Sequence, residues 1–250
     1  MKESASPVNL SPGIAPLRNV AAFAKVVEHL MTRAPNMPGL GVGYGVPGLG
    51  KSLAAAYCAN KFNGVYVECR SYFTKKSLLV SICREMRLQP GRTVFDMVNQ
   101  IGEQLALSSR PLLLDEMDHL VDRNLIELVR DIYESSNAPI FMIGEEEFPS
   151  KLRRWGRFYD RVLDWCPAEL SDAADAGKLA KLYSADVEIE ADLLAKIVQQ
   201  SRGIARRICV NIERARQHAK ASGSKFASLK VWGDRPFFTG ETPARRVSGS

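Results

Sequence analysis

GYGVPGLGKSLAAAY (residues 43–57) crowds glycines, a lysine and a serine into a few positions and then turns into an alanine-rich run. Residues 45–52 read G-V-P-G-L-G-K-S and fit the phosphate-loop pattern G-x-x-x-x-G-K-[ST]. The residue types follow from the chemistry. Backbone N–H groups can wrap a phosphate chain only where side chains are absent at close approach. The helix that follows turns its positive N-terminal end toward the phosphates. Lys51 supplies a mobile cation for the outer phosphates, and the Ser52 hydroxyl suits a magnesium ion. GLGVGY, just upstream, reads as a short buried strand. SLAAAYCANKF, just downstream, has helical propensity. The expected contacts to a nucleotide are therefore Gly45, Val46, Pro47, Gly48, Leu49, Gly50, Lys51, Ser52 and Leu53.

Such a loop calls for an acidic residue at the end of a second buried strand, to hold the magnesium. PLLLDEMDHL (111–120) meets the requirement. Leu112, Leu113 and Leu114 form a short apolar strand after Pro111, and Asp115 and Glu116 stand at its C-terminal end. Asp115 is the expected magnesium ligand, directly or through water. Glu116 is the expected general base that polarises the attacking water. ATP and Mg2+ are thus the expected substrate and cofactor.

GVYVEC (64–69) alternates like a strand, and APIFMIGE (138–145) is a continuous apolar run of the kind found in covered parallel strands. Helical patterns lie between them at 75–88, 93–108 and 124–136. Strands alternating with helices predict a parallel sheet with helices on both faces. Three further helical stretches follow residue 170. The domain reading is a flexible segment over 1–17, an α/β nucleotide-binding subdomain over 18–168, a helical subdomain over 169–232 and a disordered tail over 233–250.

Composition sets outer bounds. The 250 residues are 46% hydrophobic and 25% charged, as in ordinary globular proteins. No apolar run approaches the ~20 residues that span a bilayer, so no membrane association is expected. The polar, Pro-rich N-terminus lacks the apolar centre of a signal peptide, which points to the cytoplasm. The five cysteines form no C-x-x-C pair and read as small buried hydrophobes. Net charge is +6, unevenly placed: residues 201–250 hold 11 Lys/Arg against three Asp/Glu, a net +8, and the rest sums to −2. A basic end on a near-neutral body is a candidate nucleic-acid footprint.

Taken together, the phosphate loop, LLLDEMDHL, IFMIG, the basic LRRWGRFYDRV and the late GIARRI resemble the AAA+ ATPases over roughly residues 18–232. The run from DEMDHL to APIFMIGEEEF and KLRR is most similar to the transposition ATPases, the phage Mu B, TnsC, TniB and IstB-like group. Origin-recognition ATPases are more distantly similar. The resemblance implies an α/β fold: a P-loop AAA+ core with a parallel five-stranded sheet between helices, plus a small all-helical lid. It assigns Arg206 as the lid arginine that reaches the γ-phosphate, with Arg207 as its neighbour. It places an arginine finger, offered to the next subunit's ATP, at Arg161 or next at Arg157. It puts Lys75 and Lys76 where related ATPases line a central channel, as DNA contacts, with Arg214 and Arg216 as weaker candidates. One position departs from the family: Gly144 is followed by Glu145, Glu146 and Glu147 where a polar donor usually ends the strand. An ionised carboxylate cannot donate to a phosphate. Either the donor comes from elsewhere or hydrolysis is slow.

The leading functional reading is an ATPase that assembles on duplex DNA as a homo-oligomeric ring or filament and regulates a transposase. With only residues 1–17 ahead of the core, DNA contacts are expected from the core itself. A helicase loader or replication initiator of similar core is the alternative, and a nucleotide-gated signalling module without DNA a third. DNA-stimulated hydrolysis separates the first two from the third.

Overall fold

A computed structural model of the chain describes residues 15–242. These divide into two compact units, one ending at Glu169 and the other beginning at Leu170. The first unit runs α1 (Arg18–Thr32), β1 (Leu40–Tyr44), α2 (Lys51–Lys61), β2 (Val65–Glu68), α3 (Lys75–Glu85), α4 (Val94–Ser108), β3 (Leu112–Asp115), α5 (Asp118–Asp122), α6 (Ile126–Ser136), β4 (Ile140–Gly144), α7 (Phe148–Leu152), α8 (Gly156–Tyr159) and β5 (Val162–Pro167). The five strands form one parallel sheet in the order β2-β3-β4-β1-β5. Parallel strands need crossovers, and the helices that make them cover both faces. Hence the central strands read as unbroken apolar runs: β3 and β4 are buried at every residue. Leu112, Leu114, Ile140 and Met142 pack with Leu78, Ile82, Met97, Ile101, Val129 and Ile132 from α3, α4 and α6 in a single core.

The glycines of β1 have a packing role. Gly41 and Gly43 lie two apart and so share a face. A Cβ on Gly41 would stand 2.7 Å from Leu30 Cδ1, and one on Gly43 2.6 Å from Phe23 Cζ and 2.9 Å from Phe141 Cζ. With no side chains there, α1 settles directly onto the sheet. Phe23 then meets Phe141 edge to face, with ring centroids 5.1 Å apart. This face is carried straight into the phosphate loop, because β1 ends at Tyr44.

The second unit comprises α9 (Ala173–Tyr183), β6 (Glu188–Ile189), α10 (Ala191–Gln200), α11 (Ala205–Ala221), β7 (Phe226–Ala227) and α12 (Leu229–Trp232). It is helical, with one addition to the sequence reading: β6 and β7 pair in parallel over two residues each. Two-residue strands carry too little pattern to be read from sequence.

Both flanking segments differ from expectation where they are described. Residues 15–17 are not loose, since Ala15 and Leu17 are buried. The sequence reads the tail from residue 233 as disordered, yet residues 233–242 fold back on their own unit. Trp232 stacks on Phe237 at 5.2 Å, and buried Asn211 donates to the Phe238 carbonyl at 3.0 Å and accepts its N–H at 2.7 Å. The polar composition of the tail hid an aromatic pair and a backbone clamp. Residues 1–14 and 243–250 lie outside the described residues. Among the described residues no helix is long and apolar enough to cross a membrane.

The packing of β1 generates a test. Gly43→Ala is expected to destabilise the fold by about 1–3 kcal/mol, the usual cost of overpacking. Phe23→Leu in the same chain should recover part of that loss, because the two changes share one contact. Urea denaturation of both single variants and the double variant measures the coupling.

Candidate functional site

Backbone conformation and the Lys51 cation both shape the phosphate loop. Gly48 and Gly50 sit at φ +89° and +85°, the left-handed region that glycine enters freely. Gly50 is the N-cap of α2, and no side chain caps that helix. The first N–H groups of α2, those of Lys51, Ser52 and Leu53, are the ones a helix leaves without intrahelical partners, and they suit an anion. The Lys51 ammonium donates to the Gly45 carbonyl at 2.6 Å and the Val46 carbonyl at 3.1 Å, so it lies folded over the loop. Burial pushes its pKa down, while the charges of Glu116, Asp115, Glu145 and Asp118 pull it back up.

Asp115 and Glu116 stand at the end of β3, separated from the loop strand β1 by β4. Asp115 is 2% exposed. The Tyr66 hydroxyl donates to its Oδ2 at 3.0 Å, and the Glu116 N–H donates to its Oδ1 at 2.9 Å. Glu116 takes a left-handed backbone, φ +55°, which is uncommon for a residue with a side chain and costs of order 1–3 kcal/mol. Burial first, and the neighbouring Asp115 second, raise the Glu116 pKa, against the lowering effect of His119 and Lys51. A carboxylate held above its ordinary range is a stronger proton acceptor. For a metal, Ser52 and Asp115 offer oxygen donors only. Hard oxygen ligands in small number, completed by phosphate and water, suit magnesium.

Three contributors were not read from the sequence. Tyr66 lies inside the alternating strand GVYVEC, where nothing local marks it. Only the parallel pairing of β2 with β3, Tyr66 against Leu113 and Glu68 against Asp115, brings it to the carboxylate. Asp118 lies in DEMDHL, where the sequence alone assigns it no task. It is buried, accepts the Glu145 N–H at 2.7 Å and pairs with Lys151 at 3.0 Å, tying the end of β4 to α5. Asn19 of α1 donates to the Leu49 carbonyl at 3.1 Å.

The missing polar donor at the end of β4 has a steric cause. A Cβ on Gly144 would lie 2.4 Å from Phe148 Cγ and 2.6 Å from its Cβ, and Phe148 is fully buried. The space a donor side chain would need is filled by the core. The Glu145 N–H beside it is already given to Asp118.

The arginines divide by commitment. Arg161 pairs with Glu134 at 2.6 Å and donates to the Arg157 carbonyl at 2.8 Å. It is held by contacts within its own chain, which counts against a role as the trans-acting finger. Arg157 on α8 is exposed and makes no ion pair among the described residues. Within the second unit, Arg206 is exposed in the first turn of α11, whereas the guanidinium of Arg207 is covered by Gly240. Arg216 is tied to Asp186 at 2.5 Å and to Glu213 at 3.1 Å, and Arg214 lies over the Phe238 ring at 5.2 Å. Arg216 is thereby removed from the free basic surface.

Lys75 and Lys76 open α3 and are both exposed. Thr74 and Ser77 cap that helix reciprocally. Cations at a helix N-terminus oppose its dipole by about 0.3–1 kcal/mol each, so helix stability does not account for them. Tyr72, 69% exposed, and Arg70 stand beside them.

The AAA domain family matches residues 36–152, from just ahead of β1 to the end of α7. Among curated proteins none matches. Solved structures share the fold. The Aeropyrum pernix ORC2 protein, solved as ADPNP-ADP complexes, is similar at a TM-score of 0.70 and 14% identity, over 90% of this chain and 68% of that one. Cdc6p from Pyrobaculum aerophilum gives 0.60 and 16%, over 89% and 66%. The Thermotoga maritima RuvB Holliday junction branch migration motor gives 0.59 and 18%, over 87% and 67%. The chain thus spans about two thirds of the length of these structures and shares their fold.

Tyr66→Phe removes one donor from Asp115 and leaves the ring. It is expected to preserve the fold and to raise the magnesium concentration for half-maximal ATP hydrolysis about tenfold, the scale of losing a group that orients a metal ligand. A magnesium titration of the rate, with urea denaturation as control, reads both.

Proposed function

We propose that this protein is an ATP-hydrolysing AAA+ module that assembles on duplex DNA in its ATP state. The observation that carries the reading is the convergence of Lys51, Asp115 and Glu116 at the C-terminal ends of β1 and β3, under a helix N-terminus free of any side-chain cap. Lys51 and the amides from Gly48 to Leu53 would bind the phosphates. Magnesium, held by Ser52 and Asp115, would neutralise charge developing on the transferred phosphoryl group. Glu116 takes the proton of the attacking water as its oxygen bonds to the γ-phosphorus and the bridging P–O bond breaks, releasing ADP. Because the pKa of Glu116 is raised, this base is lost as pH falls through a value above the ordinary glutamate range. Turnover is slow, since no side chain at Gly144 donates to the γ-phosphate.

The trans-acting cation is Arg157. Its exposure and its lack of an ion pair among the described residues support this assignment, whereas Arg161 would first have to leave Glu134. Arg206 serves as the lid arginine on the strength of its place in GIARRI and its exposure.

Lys75 and Lys76 bind duplex phosphates without reading sequence. The finer assignment is a regulator of DNA transposition with a transposase as partner, in the cytoplasm. It rests on the likeness of residues 115–154 to the transposition ATPases. A replication-initiator or helicase-loader role is the second reading, favoured by the fold shared with ORC2 and Cdc6p. Pull-down with a transposase against a replicative helicase separates the two.

Two outcomes test the proposal. Arg157→Ala and Lys51→Ala should each be inactive alone, yet mixed subunits should regain hydrolysis, because an intact ATP site can then face an intact arginine. No recovery at any ratio sinks the trans assignment. Duplex binding followed by fluorescence anisotropy should tighten with a non-hydrolysable ATP analogue. It should weaken linearly in log affinity against log salt. Lys75→Ala/Lys76→Ala should lower both the affinity and that slope while ATP binding stays unchanged. Equal binding with and without nucleotide favours the signalling module.

A further inference from the structure

Asn19 belongs to the first turn of α1, outside every motif of the nucleotide site, and is buried. Both of its donors, and its oxygen as acceptor, are engaged by backbone. Its Nδ2 donates to the Leu49 carbonyl at 3.1 Å and to the Glu169 carbonyl at 2.9 Å, and its Oδ1 accepts the Glu169 N–H at 2.8 Å. Arg18, one residue earlier, pairs with the Glu169 carboxylate at 3.1 Å.

The position of Leu49 makes the first of these bonds consequential. Leu49 sits between Gly48 and Gly50, both at positive φ. The Leu49–Gly50 peptide turns about ψ of Leu49 and φ of Gly50, and a glycine φ meets little steric resistance to rotation. In a planar trans peptide the C=O and N–H point in opposite directions. Holding the Leu49 carbonyl toward α1 therefore turns the Gly50 N–H away from α1. Rotating the same peptide by half a turn would exchange the donor for a carbonyl dipole, which repels an anion. The buried Leu49 side chain anchors the residue but cannot set the plane of its peptide.

We propose that Asn19 is a positioning residue for anion binding: its side-chain amide fixes the plane of the Leu49–Gly50 peptide so that the Gly50 N–H faces the phosphate site. The same amide ties that peptide to Glu169, where the unit ends. The inference rests on the nucleotide-binding reading above.

Asn19→Asp keeps the shape and the acceptor for the Glu169 N–H but loses both donors, and Asn19→Ala loses all three bonds. Val27→Ala is the control, a buried site on the same helix without a hydrogen bond to the loop. By isothermal titration both Asn19 variants should bind ATP about tenfold more weakly or worse, the scale of one lost buried hydrogen bond. In the nucleotide-free proteins the 15N–1H signal of Gly50 should shift. Val27→Ala should lower the melting temperature and leave the ATP affinity and the Gly50 signal where they were. An unmoved Gly50 signal, or an equal loss of affinity in Val27→Ala, overturns the assignment. If neither Asn19 variant folds, the unaltered protein decides: pyrophosphate must shift the Asn19 side-chain amide together with the Gly50 amide, and a stationary Asn19 signal overturns the proposal. Failure of the unaltered protein to bind ATP or pyrophosphate refutes the nucleotide reading instead, while the Gly50 comparison among free proteins still stands.

Discussion

A lysine ammonium half withdrawn from water, facing carboxylates from other strands, is the interaction on which the site depends. Burial lowers the Lys51 pKa, and the charges of Glu116, Asp115, Glu145 and Asp118 oppose that shift. The dependence is mutual. Burial and Asp115 both disfavour an ionised Glu116, and Lys51 relieves part of that cost. The ammonium also clamps the carbonyls of Gly45 and Val46, so the charge that would meet phosphate shapes the loop that would hold it. This arrangement requires the observed strand order. With β4 between β1 and β3, the lysine and the acids converge from separate strands at the carboxyl edge of the sheet, where ligands of open α/β folds bind.

Close packing sets the limits of that arrangement. Gly41 and Gly43 admit α1 onto the sheet, and α1 in turn delivers Asn19 to the loop. At the far end of β4 the trade runs the other way. Phe148 fills the space over Gly144, so the fold gains a buried aromatic where relatives of the resembled family place a polar donor. Asp118 then binds the neighbouring N–H of Glu145 and is balanced by Lys151. The strand end is rigid and satisfied, without a side-chain donor of its own for a phosphate. At the end of β3 the backbone strain falls on Glu116, whose left-handed conformation lets Asp115 accept the N–H of the residue that follows it.

Net charge proved a coarse guide to the basic surface. The C-terminal fifth carries +8 by count, yet Arg216 and Lys220 converge on Asp186, which lies outside that fifth, and Arg214 is spread over Phe238. These contacts stabilise the second unit and its returning tail. Among the described residues, the cations without an acidic partner include Lys75, Lys76 and Arg157, which come from the first unit, whose overall count suggested little.

By itself the sequence determined the parallel α/β fold and the Gly45–Ser52 loop, together with Asp115 and Glu116 and their strand. Each is encoded locally: glycine and lysine at fixed spacing, apolar runs ended by acids, and helical periodicity between them. Strand β5, the brief β6–β7 pair and the order of the tail carried too little local signal to be placed. Only the tertiary structure decided that Tyr66 serves Asp115, that Asn19 serves Leu49, that Phe148 excludes a donor at Gly144 and that Arg161 is spent on Glu134. Each of those facts joins residues between 4 and 49 positions apart through one hydrogen bond, ion pair or collision. A hydrogen-bonding side chain keeps the same identity in the sequence whatever its partner. The partner is chosen by strand register and helix packing, which emerge only when the whole core is assembled.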